Sequence, residues 1–221
     1  MGHVSNDGLG HSFAFAEGSW RINPNHLLFE PLGAWWQGLW TRIDPDRAPV
    51  DALKLLSGLS GALAAGLFRW GVAGRLAESR WAANHATAWL AFSSAFLRLW
   101  ISDEIHMIQM PFVVAAAVMA LRYLERPALS RALATGAAVG LAGLGFISNL
   151  LLGPALALGL AWWHLRRRDA RSAVTAIAGI GVGSAVVAGS AFLAVWASSP
   201  APVGFVDWLT RYGGGAPGER V

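Results

Sequence analysis

Long apolar stretches separated by short polar ones dominate the chain after residue 51. Five of them have the length, about 20 residues, that a helix needs to cross a membrane. They cover residues 52–72, 82–99, 105–123, 131–165 and 172–197. The fourth is too long for one helix. Its segment "GFISNLLLGPAL" contains two polar residues, Ser148 and Asn149, followed by Gly153 and Pro154, and such a combination is typical of a break. The pattern predicts an all-α bundle of about six membrane helices.

The composition agrees with an integral membrane protein that crosses the membrane several times. Of the 221 residues, 55% are hydrophobic and 14% are charged, whereas soluble domains carry about 25% charged residues. The chain has 12 Trp and 26 Gly, which membrane proteins use at the interface and at close helix contacts. It has no Cys, which excludes disulfides, thiol nucleophiles and Cys-ligated metals.

Arginines are concentrated at alternate connections between the apolar stretches. Ten of the 17 basic residues flank the first, third and fifth connections, which are therefore predicted to be cytoplasmic. This distribution explains the net charge of +4 without nucleic-acid binding. The acidic second connection would then face outward. The ten residues are Arg69, Arg75, Arg80, Arg122, Arg126, Arg131, Arg166, Arg167, Arg168 and Arg171.

Three regions follow from this topology. Residues 1–51 form an external loop with juxtamembrane helices, and residues 26–40, short and rich in Trp, predict a helix lying in the interface. Residues 52–197 form the transmembrane bundle, and residues 198–221 begin a further external segment. An external start normally follows a span, so we expect the chain to be part of a longer protein.

Two adjacent acids lie between the second and third apolar stretches. Asp103 and Glu104 are followed by His106 and preceded by Arg98. An interfacial ion pair would explain Arg98 and one of the acids. A divalent cation, a phosphate-bearing lipid bridged by a metal, or a hydrated cavity would explain both, and the ligand types suit Mg²⁺ or Mn²⁺. No other cofactor is indicated by the sequence.

A second polar cluster occupies the N-terminal region. Asp7 and His11 are four residues apart, so a helix would place them on one face. His26 follows Pro24, which disfavours helix at the residue before it, and it lies at the start of an apolar segment. The alternatives are a solvated loop or a site held at the membrane surface.

Two small-residue patterns have structural interpretations. Gly136/Gly140 and Gly179/Gly183 form GxxxG pairs, which predict helix-packing faces. The sequence G-x-S-G around Ser60 is similar to the nucleophile motif of rhomboid intramembrane proteases. That function would need a histidine to accept the serine proton, and no later histidine lies in a Gly-flanked context like the one in rhomboids.

Both polar clusters together resemble the polytopic GT-C glycosyltransferases, such as protein O-mannosyltransferases and lipid A aminoarabinose transferases. The similar stretches are "NDGLGHSFAFAEG" with "NPNHLLFEPLG", then "FLRLWISDEIHMIQMPFVV", and then "GFISNLLLGPAL", which lacks the family's histidine. The resemblance covers most of the chain and corresponds to the N-terminal part of a GT-C enzyme. It rests on the order and topology of these stretches, since none is specific alone.

The resemblance implies an inverting transfer of a sugar from a polyprenyl-phosphate donor to an acceptor outside a bacterial inner membrane. Asp7 would be the general base. Asp103 and Glu104 would orient the acceptor or hold a metal. The donor and its phosphate would be bound by His11, His26, Arg98 and His106. The donor sugar and the acceptor are not specified by these residues. The alternative is a non-catalytic membrane protein that binds or transports a lipid phosphate, and a rhomboid-like protease is a minor one.

Overall fold

The described part of the chain is helical throughout. The computed structural model describes residues 6–18, 26–94, 96, 106–198 and 204–205, and these contain no strand. The predicted all-α class is therefore confirmed. The helices are α1 (Asn6–Glu17), α2 (Phe29–Ile43), α3 (Pro49–Leu76), α4 (Arg80–Ala91), α5 (His106–Glu125), α6 (Leu129–Gly145), α7 (Leu152–Arg166) and α8 (Ala170–Ala197).

Three described helices are long and apolar enough to cross a membrane. They are α3 and α8, each of 28 residues, and α5, of 20 residues. Helix α6 is apolar but has only 17 residues. The prediction of a helical bundle is therefore confirmed. Of the roughly six predicted spans, three correspond to described helices that are long and apolar enough to cross a membrane.

The predicted span over residues 82–99 is shorter in the structure. Helix α4 ends at Ala91, after 12 residues, and Phe92 and Ser93 form a turn. The Ser93 hydroxyl donates to the Leu90 carbonyl at 2.8 Å and accepts the Phe96 backbone N–H at 3.4 Å. Because a serine side chain can replace backbone partners in this way, it ends one helix and supports a new turn.

The predicted break in the long fourth stretch is confirmed. Helix α6 ends at Gly145, Phe146 has extended backbone, and a 3₁₀ helix over Ile147–Leu151 leads into α7. Pro154 lies in the first turn of α7, where its missing N–H has no intrahelical partner to lose. Helices α6 and α7 therefore form an antiparallel hairpin with Phe146 at its tip.

Other helix starts have identifiable caps. The Ser79 hydroxyl accepts the Ala82 N–H at 3.1 Å at the start of α4. The Asp169 carboxylate accepts the Ser172 N–H at 3.0 Å at the start of α8. Hydrogen bonds from the side chain and the backbone N–H of Ser172 hold the pKa of Asp169 below its ordinary value.

The packing order of the helices is α3, α5, α6, α8 and α7, so α5, α6 and α8 each have neighbours on both sides. On the outer face of α3, Leu55, Leu59 and Leu63 repeat every four residues and are 38%, 51% and 56% exposed. An apolar stripe of this kind is typical of a surface that contacts lipid or another protein.

The two GxxxG pairs face each other between α6 and α8. An added Cβ on Gly136 would collide with the carbonyl oxygen of Ile180, and one on Gly183 would collide with that of Leu133. On Gly179 it would meet the side chain of Ala132. The backbones approach this closely because hydrogen replaces a side chain, so the packing role is confirmed.

The two N-terminal helices lie on one end of the bundle. Trp36 of α2 donates its indole N–H to the Ala52 carbonyl of α3 at 2.7 Å. The Leu28 N–H donates to the Leu144 carbonyl, near the end of α6, at 2.8 Å. Phe15 of α1 packs against Gly33 of α2. The predicted helices within residues 1–51 are therefore present, and they cover the end of the bundle where α5 begins and α6 ends.

Candidate functional site

The same end of the bundle brings together three histidines and one aromatic side chain from four segments. His11 comes from α1, His26 from the turn before α2, His106 from the first residue of α5, and Phe146 from the hairpin tip. These three histidines were all predicted as site residues from sequence. The structure gathers them because the Leu28–Leu144 bond holds the turn before α2 against the end of α6.

His11 is paired with a buried carboxylate. Its Nδ1 atom lies 3.6 Å from Oε2 of Glu30, whose residue surface is only 2% exposed. The imidazole meets the Phe29 ring edge-on, with 4.9 Å between ring centroids. A carboxylate removed from water in this way requires a charged or hydrogen-bonding partner, and His11 supplies one.

Phe146 lies between the other two histidines. Its ring stacks on His26 with centroids 5.1 Å apart and meets His106 edge-on at 5.0 Å. The extended backbone at the end of α6 turns this side chain toward the histidines. One aromatic ring therefore fixes the positions of two imidazoles at the tip of the hairpin.

A chain of polar contacts links His106 to the hairpin. Nε2 of Gln109 lies 3.5 Å from Nδ1 of His106, one helical turn earlier. Oε1 of Gln109 accepts a hydrogen bond from Nδ2 of Asn149 at 2.8 Å, and the same Nδ2 donates to the Ala142 carbonyl at 3.0 Å. The 3₁₀ helix thus contributes to the site as well as to the chain reversal.

The surroundings of His26 favour its neutral form. Burial lowers its pKa below the ordinary value, and the nearby imidazoles of His11 and His106 act in the same direction. The Gly145 carbonyl and Glu30 oppose this shift. Its Nδ1 atom is buried and has no hydrogen-bond partner among the described residues. A neutral imidazole can donate one hydrogen bond and accept another, as a polar substrate requires.

The remaining predicted site residues are only partly located. Asp7 lies in the first turn of α1, one turn before His11, and its side chain is outside the described part. The predicted placement of Asp7 and His11 on one helix face agrees with the helix that forms. Arg98, Asp103 and Glu104 lie outside the described residues, so their roles, including a metal site, stay predictions.

The sequence did not single out three polar members of this cluster. Glu30 was one of several acids in the N-terminal region, Asn149 indicated a break, and Gln109 was not noticed. One signal was present: Gln109 is a lone amide in the first turns of a helix otherwise fit to cross a membrane. Polar groups in such segments are costly unless they have a partner.

An apolar groove is lined in part by the 3₁₀ helix that follows Phe146. Its volume is about 520 Å³, and it runs between α7 and α8 from the 3₁₀ helix toward the middle of the bundle. The only hydroxyl in its lining, on Ser184, donates to the Gly136 carbonyl at 3.0 Å. The groove is therefore apolar over its whole length. Its lining includes Ile147, Leu150, Pro154, Ile177, Ile180 and Phe192.

The serine of the G-x-S-G motif lies elsewhere. Ser60 is buried on α3, and no hydrogen bond joins it to a histidine in the described part of the chain. His85 contacts the Trp81 carbonyl of its own helix, and His164 pairs with Asp169 at the opposite end of the bundle. These contacts give no support to a serine–histidine pair.

No protein-family model matches this chain, and comparison with curated proteins and with solved structures likewise found no match.

Proposed function

We propose that the chain is a membrane glycosyltransferase that transfers a sugar from a polyprenyl-phosphate donor to an acceptor, with inversion at the anomeric carbon. The observation that carries this proposal is that the turn between α6 and α7 contributes both to the histidine–glutamate cluster, through Phe146, and to the lining of an apolar groove. A donor with a phosphate head and a long apolar tail needs a polar and an apolar site side by side. Ile147 and Leu150, which line the groove, directly follow Phe146 of the cluster.

The reaction needs a base and a stabilised leaving group. In this proposal Asp7 takes the proton from the acceptor as its oxygen attacks the anomeric carbon. The carbon–oxygen bond to the lipid phosphate breaks, and the phosphate leaves with the electron pair. A positioned base contributes about 10²–10⁴-fold to such a step. His11, one turn after Asp7, and its partner Glu30 place a polar pair beside that base.

The leaving phosphate needs donors of hydrogen bonds and positive charge. His26 and His106 are held on either side of Phe146, and Arg98 adds a guanidinium suited to bidentate phosphate binding. Asp103 and Glu104 precede α5 by two to three residues in the sequence. Their proposed role is to orient the acceptor or to hold Mg²⁺ or Mn²⁺ near the phosphate.

The proposed location is a bacterial inner membrane, with the cluster on the outer side and the arginine-rich end in the cytoplasm. The distribution of arginines supports this orientation. Ten arginines lie near the C-terminal ends of α3, α5 and α7 or near the starts of the helices that follow them. These helix ends are at the end of the bundle opposite the cluster.

The test compares two acids of helix α1. The chain is reconstituted into lipid nanodiscs and supplied with polyprenyl-phosphate-sugar donors extracted from bacterial membranes and with a membrane fraction as acceptor source. Asp7→Asn should lower transfer at least about 100-fold, because it removes the base but keeps the side-chain shape. Glu17→Gln, at the exposed end of the same helix, should leave transfer unchanged. Full transfer by Asp7→Asn, or an equal loss in both variants, would contradict the assignment.

A non-catalytic lipid-phosphate-binding or transport protein is the second candidate, because the groove and the cluster serve binding equally well. Binding of the donor lipid by the wild type with no transfer, and unchanged binding by Asp7→Asn, would favour it. A substitution at an exposed position of the groove, Ile177→Trp, should weaken lipid binding under either function. It therefore separates failure of the lipid site from failure of catalysis.

A further inference from the structure

The arginine-rich end of the bundle contains a basic cavity that is independent of the proposed transferase site. Its volume is about 660 Å³, and it lies between the ends of α3 and α5 and the start of α6. Four arginines and one glutamate line it, so its formal charge is +3. Topology explains arginines at this end of the helices, but it does not require them to surround one cavity. The charged residues are Arg75, Arg122, Glu125, Arg126 and Arg131.

Internal contacts hold some of these charges in place. Arg75 of α3 donates from Nε to Oε1 of Glu125 at 3.1 Å and from Nη1 to the Gly71 carbonyl at 3.0 Å. This bridge joins the end of α3 to the end of α5. Nη1 of Arg131 donates to the Arg122 and Arg126 carbonyls, each at 2.9 Å. Glu125 therefore neutralises one arginine, and three positive charges remain for a ligand.

Trp70 adds an aromatic group beside the cavity. Trp70 is 62% exposed, and its ring contacts two guanidinium groups, with Cζ of Arg75 at 5.6 Å and Cζ of Arg122 at 5.5 Å from the ring centroid. Tryptophan favours the region of lipid headgroups, where its ring and its N–H are both accommodated. The cavity is thus basic, has an interfacial aromatic at its edge, and lies at the end of two candidate spans.

We propose that this cavity binds the headgroup of an anionic phospholipid, with the phosphodiester contacted by Arg122 and Arg126 and the hydroxyl of Ser130 at its side. Guanidinium groups match the two free oxygens of a phosphate. Basic pockets between membrane helices are suited to such headgroups. The arginine-rich end of the bundle thereby acquires a specific lipid ligand in addition to its role in orientation.

The experiment titrates phosphatidylglycerol into the 221-residue chain in detergent and follows the thermal unfolding midpoint. A ligand that binds the folded state raises this midpoint as its concentration increases. Phosphatidylglycerol should raise it, whereas phosphatidylcholine should have much less effect. Each arginine near an anionic surface contributes about fivefold to affinity. Arg126→Gln and Arg122→Gln should each need about fivefold more phosphatidylglycerol for the same increase.

The matched control is Arg167→Gln at the same end of the bundle, because Arg167 stacks on Trp163 at 4.3 Å instead of lining this cavity. It should titrate like the wild type. Arg126 is exposed and has no described side-chain partner, so its replacement should not impair folding. Equal losses in Arg126→Gln and Arg167→Gln, or no preference for phosphatidylglycerol, would overturn the proposal. The same increase with inorganic phosphate alone would show that the site takes a free anion and would overturn the lipid assignment.

Discussion

Glu30 shows how much one buried side chain constrains this site. It is the only carboxylate that the described residues bury almost completely, and His11 is its described ion-pair partner. Breaking such a pair from one side leaves a charge without compensation, which costs more than removing both members. The orientation of α1 over α2 therefore depends on a contact of His11, which is also one of the proposed substrate-binding residues.

A double-mutant cycle tests this pair. His11→Ala should lower the free energy of unfolding by about 1–3 kcal/mol, because the Glu30 carboxylate loses its partner. Glu30→Gln alone completes the cycle, and its combination with His11→Ala should recover part of that loss, since the amide has no charge to leave uncompensated. Thermal or denaturant unfolding in detergent measures the difference. The control, His85→Ala on the exposed face of α4, should change little. Additive effects of the two changes would show that the pair is not coupled.

The lowered pKa of His26 predicts a loss of stability in mild acid. Burial disfavours the charged ring in the folded state, whereas in the unfolded chain the ring titrates near its ordinary value, about 6.5. The unfolded state then binds more protons as the pH falls. The free energy of unfolding should be at its maximum above this value and should decrease from about pH 6.5 downward.

His26→Gln is the variant that tests the origin of this acid sensitivity. Glutamine keeps a polar group but does not titrate, so unfolding curves between pH 7 and pH 5 (roughly the range in which histidine changes charge) should vary less than in the wild type. Unchanged pH dependence would assign the sensitivity to another group.

At the scale of single residues, the sequence predicted half of the polar members of the cluster. His11, His26 and His106 were chosen because they interrupt or border apolar segments, and the structure places them together. Glu30, Gln109 and Asn149 join them only through the contact of α2 with α6 and the reversal at Phe146. Contacts of that kind depend on tertiary geometry, which no local pattern in one sequence encodes.

At the scale of elements, the contact between α6 and α8 depends on backbone approach at glycine. The atoms that a new Cβ on Gly183 would meet belong to the backbone of α6, and backbone cannot rotate away as a side chain can. The four glycines of the two pairs thus determine how closely these helices pack. This feature was predictable because the GxxxG spacing places both glycines on one helix face.

A pair of alanine substitutions measures this contact. Gly183→Ala should destabilise the bundle by about 1–3 kcal/mol, because the methyl group forces α6 and α8 apart. Gly159→Ala, on α7, meets open space and should be neutral or stabilising by up to about 1 kcal/mol through its better helix propensity. Thermal unfolding in the same detergent compares the two. Equal midpoints would show that the close contact between α6 and α8 does not determine stability.

The end of α4 was less predictable than the hairpin break. The hairpin break has Gly, Pro and two polar residues, whereas the residues from Phe92 to Leu99 are apolar apart from Ser93, Ser94 and Arg98. A hydropathy window cannot distinguish a serine that continues a helix from one whose hydroxyl bonds to the backbone and ends it. The difference between 18 predicted and 12 observed residues has this local cause.

At the scale of the whole molecule, the two ends of the bundle have different chemistry. One end carries histidines, amides and a buried carboxylate, and the other carries most of the arginines. Helix α6 connects them, with exposed Ser130 at the arginine-rich end and exposed Ser148 just beyond the other. The proposed orientation therefore requires these two serines to lie on opposite sides of the membrane.

The absence of cysteine makes this easy to measure. In intact cells, a membrane-impermeant thiol reagent should label Ser148→Cys, and it should label Ser130→Cys only after the membrane is opened. The physical reason is the retention of positive residues in the cytoplasm. Labelling of both variants from outside would contradict the orientation and a membrane-crossing α6. Labelling in the reverse order would invert the topology.

The 17- and 15-residue lengths of the α6–α7 hairpin have a consequence for the surrounding bilayer. At 1.5 Å per residue the two helices are about 25 Å and 22 Å long, against a hydrocarbon core of about 30 Å. If both cross, lipids beside them must thin locally, a mismatch that costs fractions of a kcal/mol per Å. Shorter acyl chains would then relieve the strain next to the apolar groove, so bilayer thickness becomes a variable that tunes the occupancy of the groove.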